Sequence, residues 1–308
     1  MNTLRPLFFG LCLFVLLQAP LVSQERYDVA EHYVKREVMI TMRDGVKLFT
    51  SVYTPIDTAK DYPILLSRTP YGVGPYGPGL YKSNLGPSDA IMKEGYIFVY
   101  QDVRGKMMSE GEFENIRPIR ASHGLTDSTD EATDTYDTIE WLVENLPHSN
   151  GRVGLYGISY PGFYAALGLV DAHPALKAVS PQAPIADWFM GDDFHHNGAL
   201  FLLDSFNFMS GFGKPRPEPT TAYAQGYVHR NPDPWRFFLS VGAVSNINRD
   251  IFRGEIPFWN DMSIHGTYDG FWKSRSVPQH MTHVKPAVMV VGGLFDAEDF
   301  YGPLAIYH

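Results

Sequence analysis

The stretch from Arg152 to Phe163 limits the folds open to this chain more than any other. Val153 to Tyr156 is a short apolar run bounded by glycines and reads as a buried strand. Gly157, Ile158, Ser159, Tyr160, Pro161 and Gly162 follow, then the alanine- and leucine-rich Tyr164 to Val170, which reads as a helix. A strand, a sharp turn with serine at its apex and a helix are the context a nucleophile elbow requires. A serine on so tight a turn crowds its neighbours, so Gly157 and Gly162 are expected to be positions without room for a side chain. The usual G-x-S-x-G pattern places its second glycine one position earlier; here Tyr160 and Pro161 intervene. The plain alternative is a glycine-punctuated strand–helix turn with an incidental serine.

The flanking segments supply a sheet for such an elbow. Tyr33 to Met42 and Val46 to Tyr53 alternate apolar and polar residues around Arg43, Asp44 and Gly45, a hairpin signature. Tyr62 to Arg68 and Tyr96 to Asp102 are apolar runs, and Pro286 to Gly293 reads as a further buried strand. Ser88 to Glu94 reads as a helix, Thr126 to Asp137 carries acidic helix-start residues, and the helix continues to Asn145 with Ile139, Leu142 and Val143 on one face. Lys177 to Gln182 is a short strand. Strands alternating with helices imply a mostly parallel sheet wound on both faces, an α/β fold. From Ala183 to about Val284 the periodicity disappears into aromatics, Met, Asn and Gly, too long a stretch for an ordinary connection. It is expected to be an inserted, mostly helical cap. With 44% hydrophobic residues the chain can bury a large core, and a net charge of −9 disfavours nucleic acid as a partner.

The N-terminus carries Arg5, an apolar run from Leu7 to Leu17, and small residues before a polar start. This is the pattern of a secretory signal peptide cleaved after Ser23, with Ala19 as second choice. The run is short for a membrane span, so no stable insertion is expected after cleavage, and the mature chain is expected to be secreted or periplasmic. Cys12 is the single cysteine and lies in that segment, which leaves no disulfide or thiol nucleophile downstream. The expected organisation is residues 1–23 signal peptide, 24–182 first part of the core, 183–284 cap, and 285–308 second part of the core.

Three motifs in register carry a finer resemblance: Arg68 to Gly72 (R-T-P-Y-G), Asp102 to Gly105 with Ser109 to Gly111 (D-V-R-G and S-E-G), and Gly157 to Gly162. Together they resemble the cocaine-esterase/X-Pro dipeptidyl-peptidase superfamily of α/β-hydrolases and, within it, the α-amino acid ester hydrolases, also called β-lactam antibiotic acylases. The resemblance runs from about Tyr33 to the last residue. It implies that Ser159 is the acylated nucleophile, that the backbone N–H of Tyr160 and the hydroxyl of Tyr71 form the oxyanion hole, and that Asp296 is the triad acid. It also implies a carboxylate cluster of Glu298, Asp299 and Asp193, with Asp192 the rival for the last place. Such a cluster suits the α-ammonium of an ester, amide or short peptide substrate. Plain alternatives remain: Tyr71 as packing, and Glu298 and Asp299 as helix-start acids.

The family's triad histidine follows the last strand, about thirty residues beyond the acid. His308 falls on the helix expected after Asp299, the wrong element to serve. His123 and His148 precede the elbow, and His280 and His283 precede Asp296. His195 and His196 read as structural cap residues; as metal ligands with Asp192 or Asp193 they lack a recognised spacing. No metal or cofactor is expected. The relatives also carry a C-terminal β-sandwich domain. The chain is therefore expected to be an N-terminal piece of such a protein, truncated before the last strand, with little turnover as written and an exposed sheet edge. A general esterase, an X-Pro dipeptidyl peptidase and a non-catalytic binding protein are the competing readings. Homo-oligomerisation is an expectation for the full-length protein.

Overall fold

The computed structural model describes residues 27–120, 129–230 and 233–308. The signal-peptide and Cys12 readings, His123 and the first residues of the acidic helix start lie outside them. Strands β1 (Tyr33–Thr41), β2 (Lys47–Pro55), β3 (Tyr62–Thr69), β4 (Ile97–Asp102), β5 (Ser149–Ile158) and β6 (Leu176–Gln182) lie in one sheet with the late β9 (Ala287–Val288). β7 (His195–His196) and β8 (Ala199–Leu200) make a separate small hairpin. The helices are α1 (Val29–His32), α2 (Asp89–Glu94), α3 (Glu131–Asn145), α4 (Tyr160–Leu167), α5 (Leu202–Phe212), α6 (Pro234–Val241), α7 (Pro257–Ile264), α8 (Gly270–Lys273) and α9 (Tyr301–Tyr307).

The sheet order is β1-β2-β4-β3-β5-β6-β9, antiparallel through β4 and parallel from there on. This is an α/β-hydrolase sheet, and its topology decides where chemistry can occur. The carboxyl ends of the parallel strands β3, β4, β5 and β6 all open onto one edge, where loops can converge on a ligand. α3 begins with a capping box: Asp130 accepts from Thr133 N at 2.9 Å, and Thr133 Oγ1 accepts from Asp130 N at 2.9 Å. Its Ile139 and Leu142 are buried with Ile64, Leu66, Val99, Val153 and Leu155, a core of aliphatic side chains each contributing about 1.5–3 kcal/mol by burial. A second, aromatic core joins Tyr160, Phe163 and Tyr164 of α4 to Trp188, Phe206, Trp259 and Trp272 of the later chain.

One strand differs from its reading. Pro286 to Gly293 is not a buried strand: β9 spans Ala287–Val288, and Val291 makes an isolated bridge to Gln182. Val288, Met289 and Val291 are 41%, 62% and 42% exposed. Among the described residues β9 is the end strand of the sheet and pairs with β6 alone, so its apolar sequence finds a strand neighbour on one side.

The crowding expected at the elbow is present. A methyl group at Gly157 would lie 2.1 Å from the Pro161 carbonyl oxygen, and one at Gly162 would lie 2.7 Å from the Gln182 carbonyl oxygen. Both obstacles are backbone atoms, which cannot swing aside. Pro161 moves the second glycine along by one position because the contact with β6 falls on the residue after it. Gly157→Ala is expected to destabilise the fold by about 3 kcal/mol in urea unfolding, while Gly79→Ala, in open space, stays within about 0.5 kcal/mol. Equal midpoints for the two variants would refute the crowding.

Candidate active site

Ser159 sits between β5 and α4 with φ 63° and ψ −124°. A non-glycine residue held in such a region stores on the order of 1–3 kcal/mol of strain. The flanking hydrogen bonds hold it there: Ser159 N donates to Gln182 O at 2.9 Å, and Phe163 N donates to Ser159 O at 3.0 Å. Tyr160 is the first residue of α4, so its backbone N–H has no acceptor within the helix and points out of the helix start beside Ser159. The Tyr160 side chain has a different task. It is buried, its hydroxyl accepts from Ile116 N at 2.7 Å, and its ring meets Trp188 edge-on at 5.6 Å.

Tyr71 lies on the loop after β3, and its ring stands edge-on to that of Tyr160 at 6.3 Å. Asp102, at the end of β4, fixes this loop. Its carboxylate accepts from Val73 N at 2.9 Å, from the Tyr76 hydroxyl at 3.0 Å and from Met108 N at 3.2 Å. Burial pushes the Asp102 carboxyl up to about 6 against these donors. The Tyr71 hydroxyl is held well above the ordinary tyrosine range by burial, then by the charges of Asp193, Asp299 and Glu298. It is therefore a protonated donor at neutral pH, and the same influences place it in the field of all three acids.

The two neighbouring aspartates between β6 and β7 have separate roles. Asp192 is fully buried, and its carboxylate accepts from Ala186 N at 2.8 Å, Asp187 N at 2.9 Å and Gly302 N at 2.7 Å. It clamps α9 to the segment before α5, and the fit is tight: a methyl at Gly302 would fall 1.7 Å from the Pro184 carbonyl oxygen. Asp193, with φ 43°, turns the other way. Its Oδ2 accepts from Trp188 Nε1 at 2.6 Å, and its N–H donates to Glu298 O at 3.0 Å. Asp193 and Asp299 face each other as a hydrogen-bonded carboxyl pair. Burial raises both, and the charge of Asp193 raises Asp299 further, so the pair retains a proton. Asp299 is only 3% exposed, and apart from this pairing its Oδ1 accepts no hydrogen bond. Glu298 is raised by burial and then by Asp204, a residue of α5 that the sequence did not single out.

Asp296 lies in the turn between β9 and α9, and its Oδ1 accepts from Glu298 N at 3.0 Å and Asp299 N at 2.9 Å. It thus organises the backbone that presents the two acids. Four of the described histidines are engaged with partners other than Ser159: His173 with Glu140, His195 with Trp188 O, His229 with Asn207 and His265 with Asp269. His308 ends α9, far along from Asp296. Among the described residues, no group of three or more His, Cys, Asp or Glu side chains is arranged to hold a metal ion, and no helix is long and apolar enough to cross a membrane. Sequence reasoning missed Asp102 as the anchor of the Tyr71 loop and Trp188 as the donor to Asp193. Asp102 opens the quoted D-V-R-G motif and could have been suspected; Trp188 lies in a segment without periodicity.

The family model for X-Pro dipeptidyl-peptidase (S15 family) matches residues 44–308. The chain is 26% identical over 273 residues to the cocaine esterase of Rhodococcus sp. (strain MB1 Bresler), covering 85% of this chain and 44% of the esterase. A solved α-amino acid ester hydrolase labelled with selenomethionine superposes with a TM-score of 0.80 at 35% identity, covering 97% of this chain and 48% of that one. An aminopeptidase from a marine sediment Thaumarchaeota archaeon superposes with a TM-score of 0.78 at 36% identity, covering 90% of this chain and 45% of that one. The chain thus spans less than half the length of each of these three proteins.

Proposed function

The chain belongs to the X-Pro dipeptidyl-peptidase (S15) family of serine hydrolases, and from that premise we propose that the protein cleaves esters or amides of α-amino acids through an acyl-enzyme on Ser159. The observation that carries this reading is the buried carboxyl pair of Asp193 and Asp299, with Glu298 next in the chain and the charges of all three acting on the Tyr71 hydroxyl. Several carboxylates in one place repel one another, and a cation relieves that repulsion. The α-ammonium of an aminoacyl group supplies the cation next to the carbonyl that Ser159 attacks. The relatives named as an α-amino acid ester hydrolase and an aminopeptidase point to the same substrate feature.

In this mechanism the Ser159 hydroxyl attacks the acyl carbonyl, and its proton passes to a general base, for which the family resemblance implies a histidine oriented by Asp296. The oxyanion that develops is met by the Tyr160 N–H and the Tyr71 hydroxyl. Release of the alcohol or amine leaves the acyl-enzyme, which water hydrolyses. The Asp102 network keeps the Tyr71 donor in place before substrate arrives. Export from the cytoplasm, proposed from residues 1–23, would put this activity in the periplasm or medium.

The test is a matched pair of esters, one with a free α-amino group and one with hydrogen in its place. The amino ester is expected to show a kcat/KM more than about tenfold higher, ~1.4 kcal/mol of transition-state discrimination. Equal values would indicate a general carboxylesterase of the same family. Failure of a fluorophosphonate probe to label Ser159 would indicate a protein that binds without catalysing.

A further inference from the structure

A second charged feature lies beside the Tyr71 loop. A cavity of about 520 Å³ is lined by Pro70, Lys106, Met107, Phe212, Arg216 and Tyr223, among others. It adjoins the Tyr71 loop directly: Pro70 precedes Tyr71, and the Phe212 ring lies 5.6 Å from the Tyr71 ring. Lys106 is nine-tenths buried. Its Nζ donates to Phe212 O at 2.8 Å and lies over the rings of Phe212 and Phe113 at 3.6 and 4.1 Å. One carbonyl leaves further ammonium donors unused.

The electrostatics of Lys106 are unusual because its charged neighbour is another cation. Arg216 donates to the carbonyls of Gly105 at 3.0 Å, Met107 at 2.8 Å and Ser109 at 2.8 Å, strapping its loop over the one that carries Lys106. Burial, and then Arg216, pull the Lys106 ammonium down to about 7. Lys214 and Glu218, also on the cavity wall, are exposed and solvated. Asp102 acts on Arg216, and Glu112, Glu114 and Asp261 line a neighbouring cavity with both cations, but among the described residues no carboxylate is hydrogen-bonded to the Lys106 ammonium; a buried ammonium beside a guanidinium is costly unless an anion joins it.

We propose that this cavity receives the leaving group of the substrate and that Lys106 recognises a carboxylate carried by it. The inference rests on the amino-acyl reading above and extends it. The cleft is then dipolar, with acids for the α-ammonium and cations for the departing carboxylate. Its substrates are zwitterions: α-aminoacyl amides whose departing amine is itself an amino acid, dipeptides being the simplest. Burial of the carboxylate against Lys106 restores the ammonium that burial alone disfavours.

Binding tests this without relying on turnover. Ketomethylene isosteres of a dipeptide, ending in carboxylate or in carboxamide, are titrated calorimetrically into the whole chain. The carboxylate form is expected to bind at least about tenfold tighter, with the preference lost in Lys106→Met and kept in Lys106→Arg. Lys106→Gln provides the same comparison should Met disturb the aromatic packing. Equal affinities in the parent protein would overturn the proposal, as would a preference that survives in Lys106→Met or Lys106→Gln. The des-amino isostere separates the two readings: loss of the amino preference alone strikes at the carboxylate cluster, and loss of the carboxylate preference alone strikes at Lys106.

Discussion

Ser159→Gly is expected to yield a protein more stable than its parent by about 1–2 kcal/mol and no longer labelled by fluorophosphonate. Both effects come from one backbone position. At φ 63° and ψ −124° the Cβ of Ser159 is crowded, whereas glycine enters that region freely. The same strain presents the hydroxyl at the open edge of the sheet, beside the first N–H of α4. Ser159→Ala separates the two contributions. It removes the nucleophile but keeps the Cβ, so it should abolish labelling while leaving the urea midpoint within about 0.5 kcal/mol of the parent. If the Gly and Ala variants unfold at the same midpoint, the elbow is not strained. Residual labelling of either variant would place the reactive serine elsewhere.

The elbow was legible in the sequence because every part of it is local. Ser159, the crowded glycines and the start of α4 fall within a few residues, and each obeys a short-range steric rule. The sheet was legible for the same reason: β3 and β4 are apolar runs that the parallel centre buries. β9 shows where local pattern fails. The run from Pro286 to Gly293 is as apolar as Val153 to Tyr156, but among the described residues its place at the sheet edge leaves Met289 and Val291 uncovered, and position in a sheet depends on the whole topology.

The choice between Asp192 and Asp193 was also beyond the sequence. Adjacent residues of the same type differ only through backbone direction, and the positive φ of Asp193 turns it toward Trp188 and Asp299 while Asp192 faces α9. Lys106 was overlooked because its neighbour Arg216 lies on a proline-rich loop far along the chain. Such a loop has no periodicity to announce what it packs against.

Asp299→Asn is the sharpest test of the carboxylate pair, since stability and selectivity should move in opposite directions. Burial, and then the charge of Asp193, push the Asp299 carboxyl up to about 10. An acid raised on folding binds more protons in the native state than in the unfolded one. The stability it confers is thus present at low pH and is lost as pH rises from about 4, the unfolded value, toward that raised one. Asparagine keeps the shape and donates to Asp193 as the protonated acid does, yet cannot ionise. The variant should match its parent near pH 4 and exceed it by on the order of 1–2 kcal/mol at pH 8. Esters with a free α-amino group should at the same time lose about tenfold to a hundredfold in kcat/KM, while des-amino esters change less than about threefold, because only an ammonium displaces the proton of the pair and draws out the second charge that asparagine cannot supply. A uniform loss for both esters would make Asp299 a structural residue of the turn before α9. A stability difference that does not grow with pH would mean that the pair does not share a proton.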